Sequence, residues 1–170
     1  FVSEFMLQQT TVSTVKERFK EFIVKWPNLE KLANATEPQI LKFWSGLGYY
    51  SRARNLLKAA KLINKNFGSV IPNTYDDLIK LPGIGDYTAK AILGIAYNQP
   101  TMPTDANIER IIVRLFAIEK PIIKVKDKLK SLANTFISKK SSSDLIQSFM
   151  DYGSTICIPR NPKCDLCKIN

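Results

Sequence analysis

The chain has 170 residues, 45% of them hydrophobic, with 25 lysines and arginines against 15 acids, no histidine, three cysteines and a net charge of +10. That content suffices to bury a core and excludes a disordered chain, and the lack of any run of about 18 apolar residues excludes a transmembrane helix. The basic excess favours a polyanion as partner, nucleic acid first, although a lysine-rich solvated surface gives the same balance. Phe1-Val-Ser-Glu4 has neither the basic start nor the apolar stretch of a signal peptide, so the protein is expected inside the cell. A start without Met that leads straight into helical pattern is expected of a piece of a longer chain, with residues missing at both ends.

Glu4 stands near the start of an apolar helix with Phe5, Met6 and Leu7. Such a setting favours the uncharged form of an acid, although an exposed helix glutamate has the same sequence signature. Val12, Val15, Phe19, Phe22 and Ile23 then recur at helical steps. Thr36, with Glu37 and Pro38 behind it, starts a helix that Gly46 ends, and Leu56, Leu57, Ala60 and Ile63 mark a longer one closed by Phe67-Gly68. Thr74 with Asp77, and Ser141 with Asp144, have the spacing of capping boxes with Asp replacing the usual Glu. No two-residue alternation appears, so the prediction is an all-α protein of about nine helices, with Pro100–Pro103 as the internal boundary.

In Leu81-Pro-Gly-Ile-Gly-Asp-Tyr-Thr-Ala-Lys90 a helix meets a tight turn, and Asp86 can cap the next helix, whose apolar side includes Ala89, Ile92 and Leu93. This is a helix-hairpin-helix pattern. Gly83 and Gly85 carry no side chain, so backbone N–H groups there and at the helix start can approach a phosphate without reading a base. An ordinary αα-corner would look the same. Asp105 follows Pro103 and precedes Ile108, Ile111, Ile112 and Leu115, which places it at a helix N-terminus, where the dipole stabilises a carboxylate's charge; a simple N-cap has that placement too.

Cys157, Cys164 and Cys167 are separated by six and then two residues. Three thiolates so close suit one soft metal centre, whereas disulfides would strand the third. The absence of histidine removes mixed Cys/His zinc sites, and a four-cysteine zinc site would need a second Cys-x2-Cys knuckle, so an iron-sulfur cluster leads over zinc and over buried free thiols.

Together, Ser3-Glu-Phe-Met-Leu-Gln-Gln-Thr10, Gly46-Leu-Gly-Tyr-Tyr-Ser-Arg-Ala-Arg-Asn55, the Leu-Pro-Gly-Ile-Gly hairpin, Asp105 and the cysteine tail resemble the helix-hairpin-helix DNA glycosylase superfamily, and within it the adenine glycosylases of the MutY type. The resemblance spans essentially the whole chain in collinear order. It implies a monomeric base-excision repair enzyme, cytoplasmic or nucleoid-associated in a bacterium and nuclear or mitochondrial in a eukaryote. Its substrate would be adenine mispaired with 8-oxoguanine or guanine in duplex DNA. It further implies a six-helix barrel subdomain over 1–100 with the hairpin at about 78–97, a second helical subdomain over 101–170 ending in the cluster loop, and an active site in the cleft between them. The four-iron, four-sulfur cluster of such enzymes takes a fourth cysteine, expected at position 173, past the last residue of the sequence.

Residue by residue, the resemblance makes Glu4 the acid at the base and Asp105 the anion beneath the sugar, with Tyr87 and Asn107 orienting them. Gln9 and Tyr49 match intercalating positions, Leu7 and Gln147 match the lining of the adenine pocket, and Gln8 and Thr10 belong to the DNA-contacting stretch. Tyr87 stands where strand-cleaving relatives of the endonuclease III type carry a lysine nucleophile, so lyase activity should be weak or absent. Glu109 departs from the lysine that some adenine glycosylases have there. Thymine-mismatch glycosylases, which share Tyr87 and Asp105-Ala-Asn107, and endonuclease III-like glycosylases are the enzymatic alternatives; a non-catalytic helix-hairpin-helix binder would have no use for Glu4 and Asp105.

Overall fold

The structure is a computed structural model that describes residues 1–169, and among these every regular element is helical. The chain divides into two compact units, Phe1–Gly85 and the remainder from Asp86.

The first unit holds α1 (Val2–Leu7), α2 (Val12–Lys25), α3 (Leu29–Ala33), α4 (Glu37–Trp44), α5 (Ser51–Phe67) and α6 (Tyr75–Leu78). Helix α5 is its centre, packing on α1, α3 and α4. Its buried face combines Leu56, Leu57 and Ile63 with Ala53, Ala59 and Ala60, whose small side chains let neighbouring helices come close. Thr36 caps α4 as a full box, accepting from Gln39 N while the Gln39 side chain accepts from Thr36 N at 2.9 Å. Gly68 closes α5 in the left-handed conformation. The Thr74 hydroxyl accepts from Asp77 N and donates to the Asp77 carboxylate at 2.8 Å, so this box spends its second arm on its own cap. The apolar period of α2 is only partly buried: Val15 and Phe22 are in the core, Val12 is solvent-exposed, and Ile23 lines an open groove with Phe19 and Trp26.

The second unit holds α7 (Asp86–Ala91), a π-helical turn (Ile92–Ala96), α8 (Ala106–Leu115), a 3₁₀ turn (Ile122–Lys124), α9 (Lys126–Asn134), α10 (Ser142–Thr155) and a final 3₁₀ turn (Cys164–Leu166). Met102, Ile108, Ile112, Val125, Leu129, Ala133 and Ile146 form its core. The division thus falls at the hairpin and not at Pro100–Pro103. The reason is packing: α7 runs on into the π-helical turn, and that turn packs on α10, with Gly94 so close to Ile146 that a Cβ there would lie 2.2 Å from its Cδ1.

Helix α10 corrects the second expected capping box. The Ser141 hydroxyl makes no capping bond and lies 3.3 Å from the Ser138 hydroxyl. The orphan Ser143 N–H donates instead to Asn98 Oδ1 at 3.0 Å, and Asn98 Nδ2 donates to Lys140 O at 3.1 Å, so a residue far away in sequence supplies the cap. Replacing Asn98 by Ala should therefore cost about 1–2 kcal/mol in urea unfolding, while Ser141→Ala should stay within about 0.5 kcal/mol.

Candidate functional site

In the first unit, α1 carries Glu4, half-buried, and ends at Leu7, after which Gln8 and Gln9 turn the chain. Thr10 N donates to Leu7 O at 3.2 Å and the Thr10 hydroxyl to Gln8 O at 3.4 Å. The Gln8 amide donates to Gly83 O at 3.3 Å, which ties this turn to the hairpin. Gly83 has φ +81°, and a Cβ there would meet Asn55 Cβ and Phe5 Cε1, each at 2.8 Å. Gly83 is therefore required by conformation and packing, whereas a Cβ on Gly85 would meet nothing within 4 Å. An open backbone face of that kind suits a phosphate.

Arg52, on the core face of α5, organises this region, and its side chain was not foreseen. Its guanidinium is buried, and the four hydrogens of Nη1 and Nη2 are shared among five carbonyl oxygens, Phe5 at 3.3 Å, Met6 at 2.8 Å, Gln8, Leu47 at 2.9 Å and Gly48 at 3.1 Å, while Nε is buried without a partner among the described residues. The guanidinium carbon lies 5.6 Å from the centre of the Trp44 ring and 5.5 Å from that of Tyr49. Burial pushes Arg52 below its ordinary pKa, yet an arginine starts so high that it stays charged. Its signal in the sequence is a cation in register with Leu56, Ala59 and Ile63 on an apolar face.

Gln9 and Tyr49 are both exposed and both left-handed, with φ of 56° and 46°. Tyr49 follows Gly46 and Gly48, which are left-handed as well. Such backbone is unfavourable for a residue with a Cβ and tends to be kept where a side chain must be aimed.

In the second unit, Asp105 is the N-cap of α8. Its Oδ1 accepts from Ile108 N at 2.7 Å and its Oδ2 from Asn107 Nδ2 at 3.2 Å. Asn107 Oδ1 accepts from Arg110 Nη2 at 2.7 Å, which fixes the amide so that its NH₂ faces the carboxylate. Arg110 also donates to Ala106 O, Gly153 O and, at 2.7 Å, Cys157 O. A relay thus runs from the cysteine loop to Asp105. Tyr87 is half-buried on α7, beside Asp86, which opens that helix and pairs with Lys90 at 3.1 Å and Lys130 at 3.6 Å. Gln147 is exposed on α10, its amide turned back to Ser143. Glu109 is half-buried in the first turn of α8.

Cys157, Cys164 and Cys167 are free thiols that line one cavity of about 100 Å³ together with Ile111, Arg114 and Tyr152. Arg114 Nη1 approaches Cys157 Sγ at 3.3 Å and donates to Ile158 O at 2.8 Å, so a cation faces the thiol loop. The Tyr152 hydroxyl accepts from Lys168 N at 3.0 Å and hydrogen-bonds Cys167; that bond, with desolvation, raises the phenol above its ordinary pKa. Neither Arg114 nor Tyr152 was singled out by the cysteine spacing. Among the described residues no three His, Cys, Asp or Glu side chains converge as ligands of a single metal ion.

The family model of the HhH-GPD superfamily base excision DNA repair protein matches residues 2–135. The chain belongs to this superfamily. A relative from Buchnera aphidicola subsp. Baizongia pistaciae, named adenine DNA glycosylase, is 40% identical over 173 residues, covering 99% of this chain and 48% of its own length. The chain thus spans about half the length of the curated relatives it matches first. Among solved structures, a thermostable thymine-DNA glycosylase superposes with a TM-score of 0.89 at 30% identity, over 99% of this chain and 78% of that one. A trapped endonuclease III–DNA covalent intermediate gives 0.84 at 21% identity, over 99% and 78%, and speaks for the shared all-α fold.

Helix α10 meets α8 at Gly153, where a Cβ would lie 2.6 Å from Asn107 Cβ and 3.2 Å from its Cα. Gly153→Ala should therefore cost about 1–3 kcal/mol in urea unfolding and displace Asn107 from Asp105, visible as a shifted Asn107 side-chain amide resonance in NMR.

Proposed function

We propose that this chain is the catalytic core of a monofunctional adenine DNA glycosylase acting on adenine opposite 8-oxoguanine or guanine in duplex DNA. The observation that carries the reading is the contrast between two carboxylates. Asp105 is fixed by a backbone N–H and by the Asn107 amide, whereas Glu4 is half-buried on an apolar helix. Identity of about 40% to relatives named adenine DNA glycosylase favours adenine over thymine as the released base.

The N9–C1′ bond resists hydrolysis because adenine leaves poorly as an anion and the sugar becomes cationic. Glu4, protonated, gives its proton to adenine N7; the bond breaks with its electron pair going to the base. Ionised Asp105 stabilises the oxocarbenium ion, water adds at C1′ and loses a proton, and free adenine and an abasic sugar result. Two oxygens with two lone-pair sites each leave Asp105 acceptor capacity beyond its two internal bonds. Tyr87 and Asn107 orient the acids and water, and Leu7 and Gln147 face the extruded base. Gln9 and Tyr49 enter the stack it leaves, and Gln8, Thr10 and the open backbone at Gly85 meet the phosphates. The protein works as a monomer inside the cell.

Glu4→Gln should lower the single-turnover excision rate of the full-length protein by roughly 10²–10⁴ at unchanged duplex affinity. Asp105→Asn should lower it as well, while keeping the α8 cap and folding within about 0.5 kcal/mol, because Asn caps as well as Asp. Near-normal excision by either variant, or release of thymine opposite guanine in preference to adenine, would remove the assignment.

Cys157, Cys164 and Cys167, with a fourth cysteine expected at position 173, outside the described residues, are the proposed ligands of a four-iron, four-sulfur cluster. The fit rests on three free thiols around one cavity, with Arg114 offsetting thiolate charge. When bound, the cluster supplies an anchored loop and takes no part in hydrolysis. Full-length protein purified anaerobically should carry equimolar iron and acid-labile sulfide; zinc in their place would overturn this part.

A further inference from the structure

One buried cation joins the two residues that the proposed function sends into the duplex. Arg52 Nη1 shares its two hydrogens among Phe5 O, Met6 O and Gln8 O, the carbonyls that end α1, and Nη2 donates to Leu47 O and Gly48 O, in the loop before α5. Gln8 O and Gly48 O belong to the residues immediately before Gln9 and Tyr49, which are exposed and left-handed. We propose that Arg52 is a positioning residue for lesion recognition: its planar fork, gripping the carbonyl before each of the two, presets the backbone that aims Gln9 and Tyr49 at the duplex.

The chemistry of the side chain supports this. A left-handed residue with a Cβ drifts back to extended or right-handed backbone unless its neighbours are held. Both neighbours here are held by hydrogen bonds to one rigid group, so the spacing of the two turns is set by the width of a guanidinium. The guanidinium is buried and its bonds to Gln8 O and Gly48 O are part-buried, so they face less competition from water than bonds on the open surface. The order they impose is in place before DNA arrives and need not be imposed on binding. A lysine has the charge but not the fork, and it cannot hold both turns at one spacing.

The inference rests on the reading of Gln9 and Tyr49 as wedges, and a double-mutant cycle separates the two. In the full-length protein, Arg52→Lys should weaken binding to a duplex with adenine opposite 8-oxoguanine by about tenfold or more, with affinity for a matched duplex within about twofold. The excision rate at saturating enzyme should change much less than the dissociation constant. In the Gln9→Ala/Tyr49→Ala background the same change should cost no more than about twofold, since nothing is left to aim.

An equal loss in both backgrounds, or on both duplexes, would overturn the positioning role and leave Arg52 as a plain packing residue. If Gln9→Ala/Tyr49→Ala alone left lesion affinity unchanged, the wedge reading would fail and take this inference with it. Arg52→Gln, which keeps one donor arm, provides a second variant, and thermal unfolding of each shows that folded protein is compared; the same loss pattern is expected.

Discussion

A guanidinium keeps its charge even with little water around it, so burying one is tolerable only where acceptors such as carbonyl oxygens replace the solvent. At Arg52 they are the oxygens that the end of α1 and the glycine loop before α5 cannot satisfy within regular structure. Each side solves the other's problem: the carbonyls solvate the cation, and the cation closes a short helix and an irregular loop. The first unit depends on that exchange, because α1 has only six residues and would be marginal alone. Glu4, the Gln8-Gln9 turn and Tyr49 all sit on segments fixed this way.

The second unit uses arginines in the same manner. Arg110 and Arg114 leave α8 one turn apart and end on carbonyls of the cysteine loop, Arg110 on Cys157 and Arg114 on Ile158 and Pro159. Irregular chain is thereby given the partners that a helix or sheet would have supplied. Arg110 also orients Asn107, and Asn107 orients Asp105, so the shape of the loop reaches the proposed catalytic carboxylate through two side chains. A basic composition is consequently not all surface: part of the charge excess is internal scaffolding.

Local chemistry made much of this legible in the sequence. Thr36, Gly68 and Asp105 act within a few residues of themselves, and helix period exposes the face of α5. The features that the sequence does not show act across the chain. Asn98 replaces Ser141 as the cap of α10 because its left-handed backbone turns its amide toward that helix, a fact that no local window contains. Arg52 lies in the Gly46–Asn55 stretch, and its register with Leu56 places it in the core, but the Phe5 and Met6 carbonyls it meets there come from a segment that no local window contains. The π-helical turn arises where Gly94 packs against Ile146, and a lone glycine does not announce that contact. Superfamily membership is carried by spaced motifs, and Arg52 lies within one of them, but the carbonyls it holds are set by the fold and not by that motif's spacing.

The most direct measurement is a crystal structure of the full-length protein on a duplex holding a non-hydrolysable adenosine analogue opposite 8-oxoguanine. The account predicts an extruded analogue with the carboxylates of Glu4 and Asp105 on it. Gln9 and Tyr49 should lie in the vacated stack with their left-handed backbone unchanged and Arg52 still bridging Gln8 and Gly48. An analogue left in the helix, or contacted by neither carboxylate, would contradict it.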